Sequence, residues 1–136
     1  MGRIIGLDFG MRRTGVAVTD ELQMIASPLR TIETENLIQF LKDYIATENV
    51  VLLVIGEPKQ MDGSPSESEK LIEPLIQKLK NEFESIAIER QDERFTSKMA
   101  VKAMIAGGMK KKKRQVKGEI DKISATLILQ SYLDRK

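Results

Sequence analysis

Residues 50–55 read VVLLVI, an almost unbroken apolar run that continues into Gly56, Glu57 and Pro58. A strand of this composition is buried on both faces, as the central strands of parallel sheets are. Both faces must then be covered by other elements of the chain. The run therefore predicts a layered α/β domain with this strand inside its sheet.

The segments before this run predict an antiparallel meander of three strands joined by short turns. The first two strands are RIIGLDF (residues 3–9) and TGVAVTD (residues 14–20), which are rich in Ile and Val. The third is MIASPLRTI (residues 24–32), in which Pro28 indicates an edge strand or a bulge.

Two helices are predicted on either side of the apolar run. Residues 34–48 have apolar side chains at helical spacing, with Thr34 as the predicted N-cap. Residues 68–83 show the same periodicity, and Pro74 would kink this helix or reset its start.

The remaining pattern predicts a fifth strand over residues 85–94 and a helix over residues 96–108 that begins at a capping Thr96. A long amphipathic helix is predicted over residues 119–136. Three strands in a meander followed by this order of helices and strands resemble a ribonuclease-H-like domain. We therefore expect a single domain over residues 1–136, with a mixed five-stranded sheet flanked by helices.

The chain contains no cysteine and no histidine. The first absence excludes disulfides and thiolate metal sites, and a reducing cytoplasm is the expected location. The second excludes a Ser-His-Asp triad and the usual general base at neutral pH. Catalysis would have to use carboxylates, lysines, hydroxyl groups or bound metal. No membrane attachment is expected, because no apolar run approaches the ~20 residues of a membrane span.

The formal net charge of +2 conceals an uneven distribution along the chain. Residues 90–136 carry 13 Lys and Arg against 5 Asp and Glu, whereas residues 1–89 carry 9 against 15. A basic run lies within residues 110–117, and its members are Lys110, Lys111, Lys112, Lys113, Arg114 and Lys117. This asymmetry predicts a nucleic-acid partner, the alternative being an ordinary solvated surface.

Three acidic residues are predicted to lie near the centre of the sheet. Asp8 lies at the end of the first strand, Glu93 lies where the fifth strand gives way to a helix, and Asp121 opens the last helix. Positions 124, 125 and 128 share the helix face of Asp121, and their residues, Ser, Ala and Ile, suit close packing on a sheet. Each acid also has a simpler explanation: a strand-end turn, a surface charge and a favourable helix dipole, respectively.

Carboxylates that converge in a chain without histidine indicate an oxygen-ligand site for Mg²⁺ or Mn²⁺. One or two ions fit this prediction, and two ions about 4 Å apart can clamp the attacking and leaving oxygens of a phosphodiester. A cation would also explain why an ionised Asp8 is tolerated at the end of an apolar strand. The predicted chemistry is metal-dependent phosphodiester hydrolysis.

Successive motifs along the chain resemble those of one known family. They are GLDFG, TGVAVTD, VIGEP with MDGS, DERFTS and IDKISATLILQSYL. They are similar to the motifs of the YqgF family, also called RuvX or Holliday-junction-resolvase-like proteins. The resemblance implies a metal-dependent nuclease of the bacterial cytoplasm that matures the 5′ end of pre-16S rRNA, with Holliday junction resolution as the earlier alternative. It assigns the family's acidic positions to Asp8, Glu93 and Asp121.

One position departs from the family pattern. Glu57 precedes Pro58 where the family usually has an apolar residue. In related resolvases an acid at the end of this strand binds metal. Glu57 is therefore a candidate fourth ligand or a replacement for Glu93, and the alternative is a solvent-facing loop residue.

Basic residues near these acids are candidates for nucleic-acid binding. They are the basic run of residues 110–117, Arg12 and Arg13 after the first strand, and Arg94, which could instead pair with a carboxylate. Phosphate contacts would make binding depend strongly on salt. Because the aromatic content is only 4%, recognition of backbone and shape is expected, as in structured RNA or branched DNA.

Two other functions fit parts of the sequence. LDFGMRRTG resembles the phosphate-binding hairpin of actin-like sugar kinases, but those proteins use two such domains and one is expected here. A domain that binds nucleic acid without cleaving it is the stronger alternative. A resolvase that cuts two strands symmetrically would need a homodimer, whereas a monomer suffices to process one RNA end.

Overall fold

A computed structural model describes residues 2–94 and 117–135 of the chain. Five strands form one sheet: β1 (Arg3–Asp8), β2 (Arg13–Thr19), β3 (Ala26–Glu33), β4 (Val50–Glu57) and β5 (Ala87–Asp92). Their order is β3-β2-β1-β4-β5, in which β2 is antiparallel to both neighbours and β4 is parallel to both of its neighbours. The predicted mixed five-stranded sheet is confirmed, with the VVLLVI run between two parallel strands.

The described helices are α1 (Leu37–Thr47), α2 (Glu69–Glu82) and α3 (Lys117–Arg135). The second helix contains Pro74 and continues through it, without a new start. The helix predicted over residues 96–108, with its capping Thr96, lies outside the described residues. Among the described helices, none is both long enough and apolar enough to cross a membrane.

The apolar side chains of the sheet divide between two cores, one on each face. On one face α1 and α2 cover the strands, and the buried residues include Leu7, Leu53 and Ile55. On the other face α3 packs against the strands, with Ala125 and Ile128 among its buried residues. β4 contributes to both cores, which confirms that this strand is buried on both faces.

The start of α1 differs from the prediction. Residues Thr34–Asn36 form a short 3₁₀ turn, and neither this turn nor α1 has a side-chain cap. The hydroxyl of Thr34 is instead 2.6 Å from the carbonyl oxygen of Gly10, to which it donates, and 2.9 Å from the hydroxyl of Thr14. Thr34 as an N-cap was therefore wrong, because its hydroxyl is used by the β1–β2 turn rather than by its own helix.

Pro28 lies on an edge strand, as predicted. β3 is at one end of the sheet and pairs only with β2 among the described strands. The pairing shifts register where Val16 faces Arg30 and Ala17 faces Pro28, which leaves Leu29 as an extra residue. A proline and a bulge on an exposed edge both discourage pairing with a further strand.

Candidate active site

Asp8 is the last residue of β1, at the centre of the sheet. Its partner across the antiparallel pair is Gly15 on β2. On the parallel side Leu7 pairs with Ile55, so the next residue of β4, Gly56, lies beside Asp8. Asp8 is therefore flanked by a glycine on each neighbouring strand, and neither neighbour has a side chain to cover it.

Glu93 follows the end of β5, and its N–H donates to the carbonyl oxygen of Glu57 at 3.2 Å. Its carboxylate lies directly over Gly56. A Cβ atom placed on Gly56 would be 2.0 Å from Oε2 of Glu93. The missing side chain of Gly56 thus provides the space that brings Glu93 beside Asp8.

The sequence had suggested that Asp121 lies in the first turn of its helix. In the structure it lies one turn after Lys117, the first described residue of α3. It sits over the other glycine: a Cβ atom on Gly15 would be 2.0 Å from the backbone oxygen of Asp121. Ser124, Ala125 and Ile128 on the same helix face are buried, as predicted. The three acids therefore form a row across β2, β1 and β4, with Asp8 in the middle.

Burial, and after it the charge of a neighbouring acid, raises the pKa of two of these carboxyls. Burial, followed by the charge of Asp121, raises the pKa of Asp8 from 3.8 to about 7. Burial, followed by the charge of Asp8, raises the pKa of Glu93 from 4.5 to about 8, although Arg90 acts in the opposite direction. Both carboxyls thus tend to keep a proton near neutral pH unless a cation is present.

These pKa values predict how stability depends on pH in protein freed of metal with EDTA. The folded chain binds protons at pH values where the unfolded chain has lost them, so its free energy of unfolding should fall as pH rises from about 5 to about 8. Thermal unfolding at constant ionic strength measures this slope. Asp8→Asn should flatten the slope, while Asp43→Asn, at an exposed position of α1, should keep it. A slope unchanged in Asp8→Asn would contradict the interpretation.

The structure does not bring Glu57 to the three acids. Side chains alternate along a strand, and the position of Gly56 faces Glu93 and α3, so the neighbouring Glu57 faces the opposite side of the sheet. Its Oε1 is 3.5 Å from Nζ of Lys59. A role for Glu57 as a fourth ligand, or in place of Glu93, therefore has no support from this geometry.

The candidate phosphate-binding residues differ in their surroundings. Arg12 is exposed, whereas Nε of Arg13 is 3.2 Å from Oδ2 of Asp121. Arg94 pairs with Asp92 at 2.8 Å and donates to the carbonyl oxygen of Met61 at 3.3 Å, which favours the carboxylate pairing over phosphate binding. Residues 110–114 of the basic run lie outside the described residues. Lys117 is the first described residue of α3, and its side chain is not described.

Arg90 was not predicted to matter, yet it supports the site from the opposite face. Both terminal nitrogens of its guanidinium lie 2.7 Å from the carboxylate oxygens of Glu69 at the start of α2. The same guanidinium donates to the carbonyl oxygens of Ile55 and Gly56 at 3.3 and 3.0 Å. Arg90 thus fixes the end of β4 immediately beside Asp8. No spacing in the sequence indicates this, because the partners are distant along the chain.

Glu69→Gln should lower the free energy of unfolding by about 1–3 kcal/mol, since it leaves the largely buried Arg90 without its carboxylate. Chemical denaturation at neutral pH measures the loss. Glu67→Gln, at an exposed position nearby, is the matched control and should change stability by less than ~0.5 kcal/mol. Equal effects of the two substitutions would contradict a structural role for the Arg90–Glu69 pair.

Among residues 2–94 and 117–135, no group of three or more acidic side chains is close enough together to hold a metal ion as it stands. One of the three central acids, Asp121, is bound to Arg13 instead. The donor set itself fits a hard divalent cation, because it consists of carboxylates, and burial next to another acid raises the pKa of two of them.

The order and directions of the five strands are those of a ribonuclease-H-like domain. The solved structure of Thermus thermophilus RuvC in complex with a Holliday junction substrate has the same fold, with a TM-score of 0.55 at 16% identity, covering 98% of this chain and 95% of RuvC. Residues 2–135 match the RuvX family, whose description is Holliday junction resolvase. The chain belongs to the RuvX family.

Several curated relatives match this chain over nearly its full length. A protein of Flavobacterium psychrophilum is 57% identical over 136 residues, covering 100% of this chain and 99% of its own. A protein of Christiangramia forsetii is 56% identical and covers 98% of each chain. A protein of Bacteroides thetaiotaomicron is 48% identical, covering 100% and 99%. All three carry the name "Putative pre-16S rRNA nuclease".

Proposed function

We propose that this chain is a nuclease that uses a divalent metal ion to hydrolyse phosphodiester bonds, and that it processes the 5′ end of pre-16S rRNA. The observation that carries the proposal is the row of Asp8, Glu93 and Asp121 across the centre of the sheet. Two of these acids are buried enough to resist ionisation, so the site favours a bound cation. The names of the full-length relatives support RNA as the substrate.

The proposed metal ligands are Asp8, Glu93 and Asp121, with Mg²⁺ or Mn²⁺ as the ion and either one or two ions bound. When bound, such ions would lower the pKa of a water molecule and stabilise charge on the leaving oxygen. Asp8 has an acid on each side, so it is the residue best placed to serve the whole site. Arg12, exposed in the turn between β1 and β2, would bind and orient phosphates of the substrate.

We further propose that residues 1–136 act as one nuclease domain in the cytoplasm, where ribosomal RNA is processed. The basic run of residues 110–117 is expected to add phosphate contacts, since it precedes Asp121 closely in the chain. Cleavage at a single RNA end is compatible with a monomer, so no homodimer is required by this function.

The resolvase function is the second candidate, because the family description names it. It would require two sites related by a two-fold axis, so that both strands of a junction are cut. Branched DNA and structured RNA share a phosphate backbone that the same arginines could bind. The two candidates therefore differ in the substrate and the oligomeric state, not in the catalytic acids.

The deciding experiment incubates the protein with a labelled pre-16S 5′ leader and, separately, with a four-way DNA junction. Each is run with Mg²⁺, with Mn²⁺ and with EDTA, and Glu93→Gln serves as the inactive control. Metal-dependent cutting of the RNA alone is the expected result. Paired symmetric cuts in the junction would support the resolvase instead. Binding of both substrates without cleavage would overturn the nuclease proposal in favour of a binding module.

A further inference from the structure

Arg13 and Asp121 form an ion pair beside the proposed metal site. Nε of Arg13 is 3.2 Å from Oδ2 of Asp121, and the pair joins the start of β2 to α3 across 108 positions of sequence. The charge of Asp121 also contributes, after burial, to the raised pKa of Asp8. A cationic side chain of the protein itself therefore contacts one of the three acids that a metal ion would use.

The guanidinium of Arg13 can be reached from solvent. Its side chain is 38% exposed, against 25% for Asp121. It lines a cavity of about 420 Å³ together with Met11, Arg12, Glu33 and Glu35. The two glutamates would repel an anion, so a phosphate entering this cavity is expected at its arginine side. There it would compete with Asp121 for the guanidinium, which binds phosphate and carboxylate in the same forked geometry.

The backbone that carries Arg13 is held firmly. The N–H of Thr34 donates to the carbonyl oxygen of Arg12 at 2.9 Å. The hydroxyl of Thr34 donates to the carbonyl oxygen of Gly10 at 2.6 Å. A Cβ atom on Gly10 would be 2.5 Å from the carbonyl oxygen of Arg13, so the turn is also too tight for a side chain there. An exchange of partner by Arg13 would therefore involve its side chain and leave the turn in place.

We propose that Arg13 binds Asp121 in the free protein and exchanges it for a substrate phosphate, which releases Asp121 to complete the metal site. This inference rests on the proposed function, because it assumes that Asp121 is a metal ligand. It makes Arg13 a positioning residue that acts through Asp121. It also explains why the described acids do not form a ready metal site, although all three lie in one row across the centre of the sheet.

The exchange couples metal binding to nucleic-acid binding. Whatever frees Asp121 must raise the affinity for metal, and by thermodynamic linkage metal must raise the affinity for the phosphate backbone by the same factor. Without Arg13 the competition disappears. The metal should then bind more tightly to the free protein, and nucleic acid should no longer improve it.

The test titrates Mn²⁺ into the intact chain by calorimetry, with and without a short phosphorothioate RNA duplex that resists hydrolysis. Arg13→Gln is expected to bind Mn²⁺ about 5-fold more tightly than the unmodified protein when no RNA is present. The duplex should tighten Mn²⁺ binding by the unmodified protein by a similar factor. It should leave the Mn²⁺ affinity of Arg13→Gln unchanged. Titration of the duplex alone provides the blank.

Arg12→Gln is the matched control, since Arg12 lines the same cavity but forms no ion pair with the three acids in the described structure. It should weaken RNA binding and leave Mn²⁺ affinity unchanged. Arg13→Lys keeps the charge but loses the planar fork, so it should lie between the unmodified protein and Arg13→Gln. This variant decides the question if Arg13→Gln does not fold.

The outcomes separate this inference from the proposed function. Mn²⁺ binding that is unchanged or weaker in Arg13→Gln and Arg13→Lys would overturn the exchange while leaving the metal site intact. Failure of every variant and of the unmodified protein to bind Mn²⁺ would overturn the metal-dependent function itself, and the exchange with it.

Discussion

Asp8→Asn is expected to slow phosphodiester cleavage by at least about 100-fold, because partners more remote from a metal than its ligands already cost 10–100-fold when mutated. The carboxylate of Asp8 lies between Glu93 and Asp121, so its loss removes charge from the middle of the site. Asparagine has almost the same size and lacks the charge. Cleavage measured under single-turnover conditions, with RNA affinity from fluorescence anisotropy, separates chemistry from binding.

In EDTA, where metal makes no contribution to RNA binding, the RNA affinity of Asp8→Asn should stay within about 3-fold of the unmodified protein, because the proposed phosphate contacts come from arginines and lysines. Asp43→Asn is the matched control and should leave both quantities unchanged, since Asp43 is exposed on α1 and bonded only locally to Gln39. An Asp8→Asn protein that cleaves at the normal rate would rule out the metal mechanism.

The second large effect is expected at Gly15. Its Cβ position is 2.0 Å from the backbone oxygen of Asp121 and 2.4 Å from the carbonyl carbon, and backbone atoms of a packed helix cannot rotate away. Gly15→Ala must therefore push α3 off the sheet. We expect a loss of at least about 2 kcal/mol in the free energy of unfolding and a lower melting temperature by about 5–10 °C.

Gly56→Ala is the informative comparison, because its added Cβ would first meet the end of the Glu93 side chain and then Cδ1 of Ile128. Both groups can rotate, so stability should fall less than in Gly15→Ala, while cleavage should be lost as Glu93 is displaced. Thermal unfolding and the nuclease assay on both variants measure the difference. Equal stability losses would show that the two glycines serve packing alone.

Much of the fold follows from short-range pattern. The VVLLVI run predicted a strand buried on both faces, because apolar side chains on both faces need to be covered. Pro28 predicted an edge strand, because proline has no N–H to pair with a further strand. The face of α3 around Asp121 was also predictable from the small residues at positions 124 and 125. These features need no knowledge of distant partners.

The errors and omissions share one cause, which is contact between distant parts of the chain. Thr34 seemed a helix cap until its hydroxyl was found on the β1–β2 turn. Glu57 was a candidate metal ligand because related resolvases have an acid at the end of this strand, whereas strand alternation turns its side chain to the other face of the sheet. The ion pair of Arg90 with Glu69 joins two different elements, and no periodic pattern in the sequence predicts it. The assignment of Asp8, Glu93 and Asp121 as ligands stays a prediction until metal binding is measured.

The hydrogen bonds from Thr34 to Gly10 and Arg12 have a consequence for the thermodynamics of substrate binding. A loop that becomes ordered only on binding loses backbone entropy at that moment, at roughly 1–2 kcal/mol per residue. The β1–β2 turn is already held in place in the free chain, so that loss belongs to folding and not to association. On binding, only the side chains of Arg12 and Arg13 lose conformational freedom. This favours rapid binding to phosphates at many positions of a nucleic acid over slow selection of one sequence.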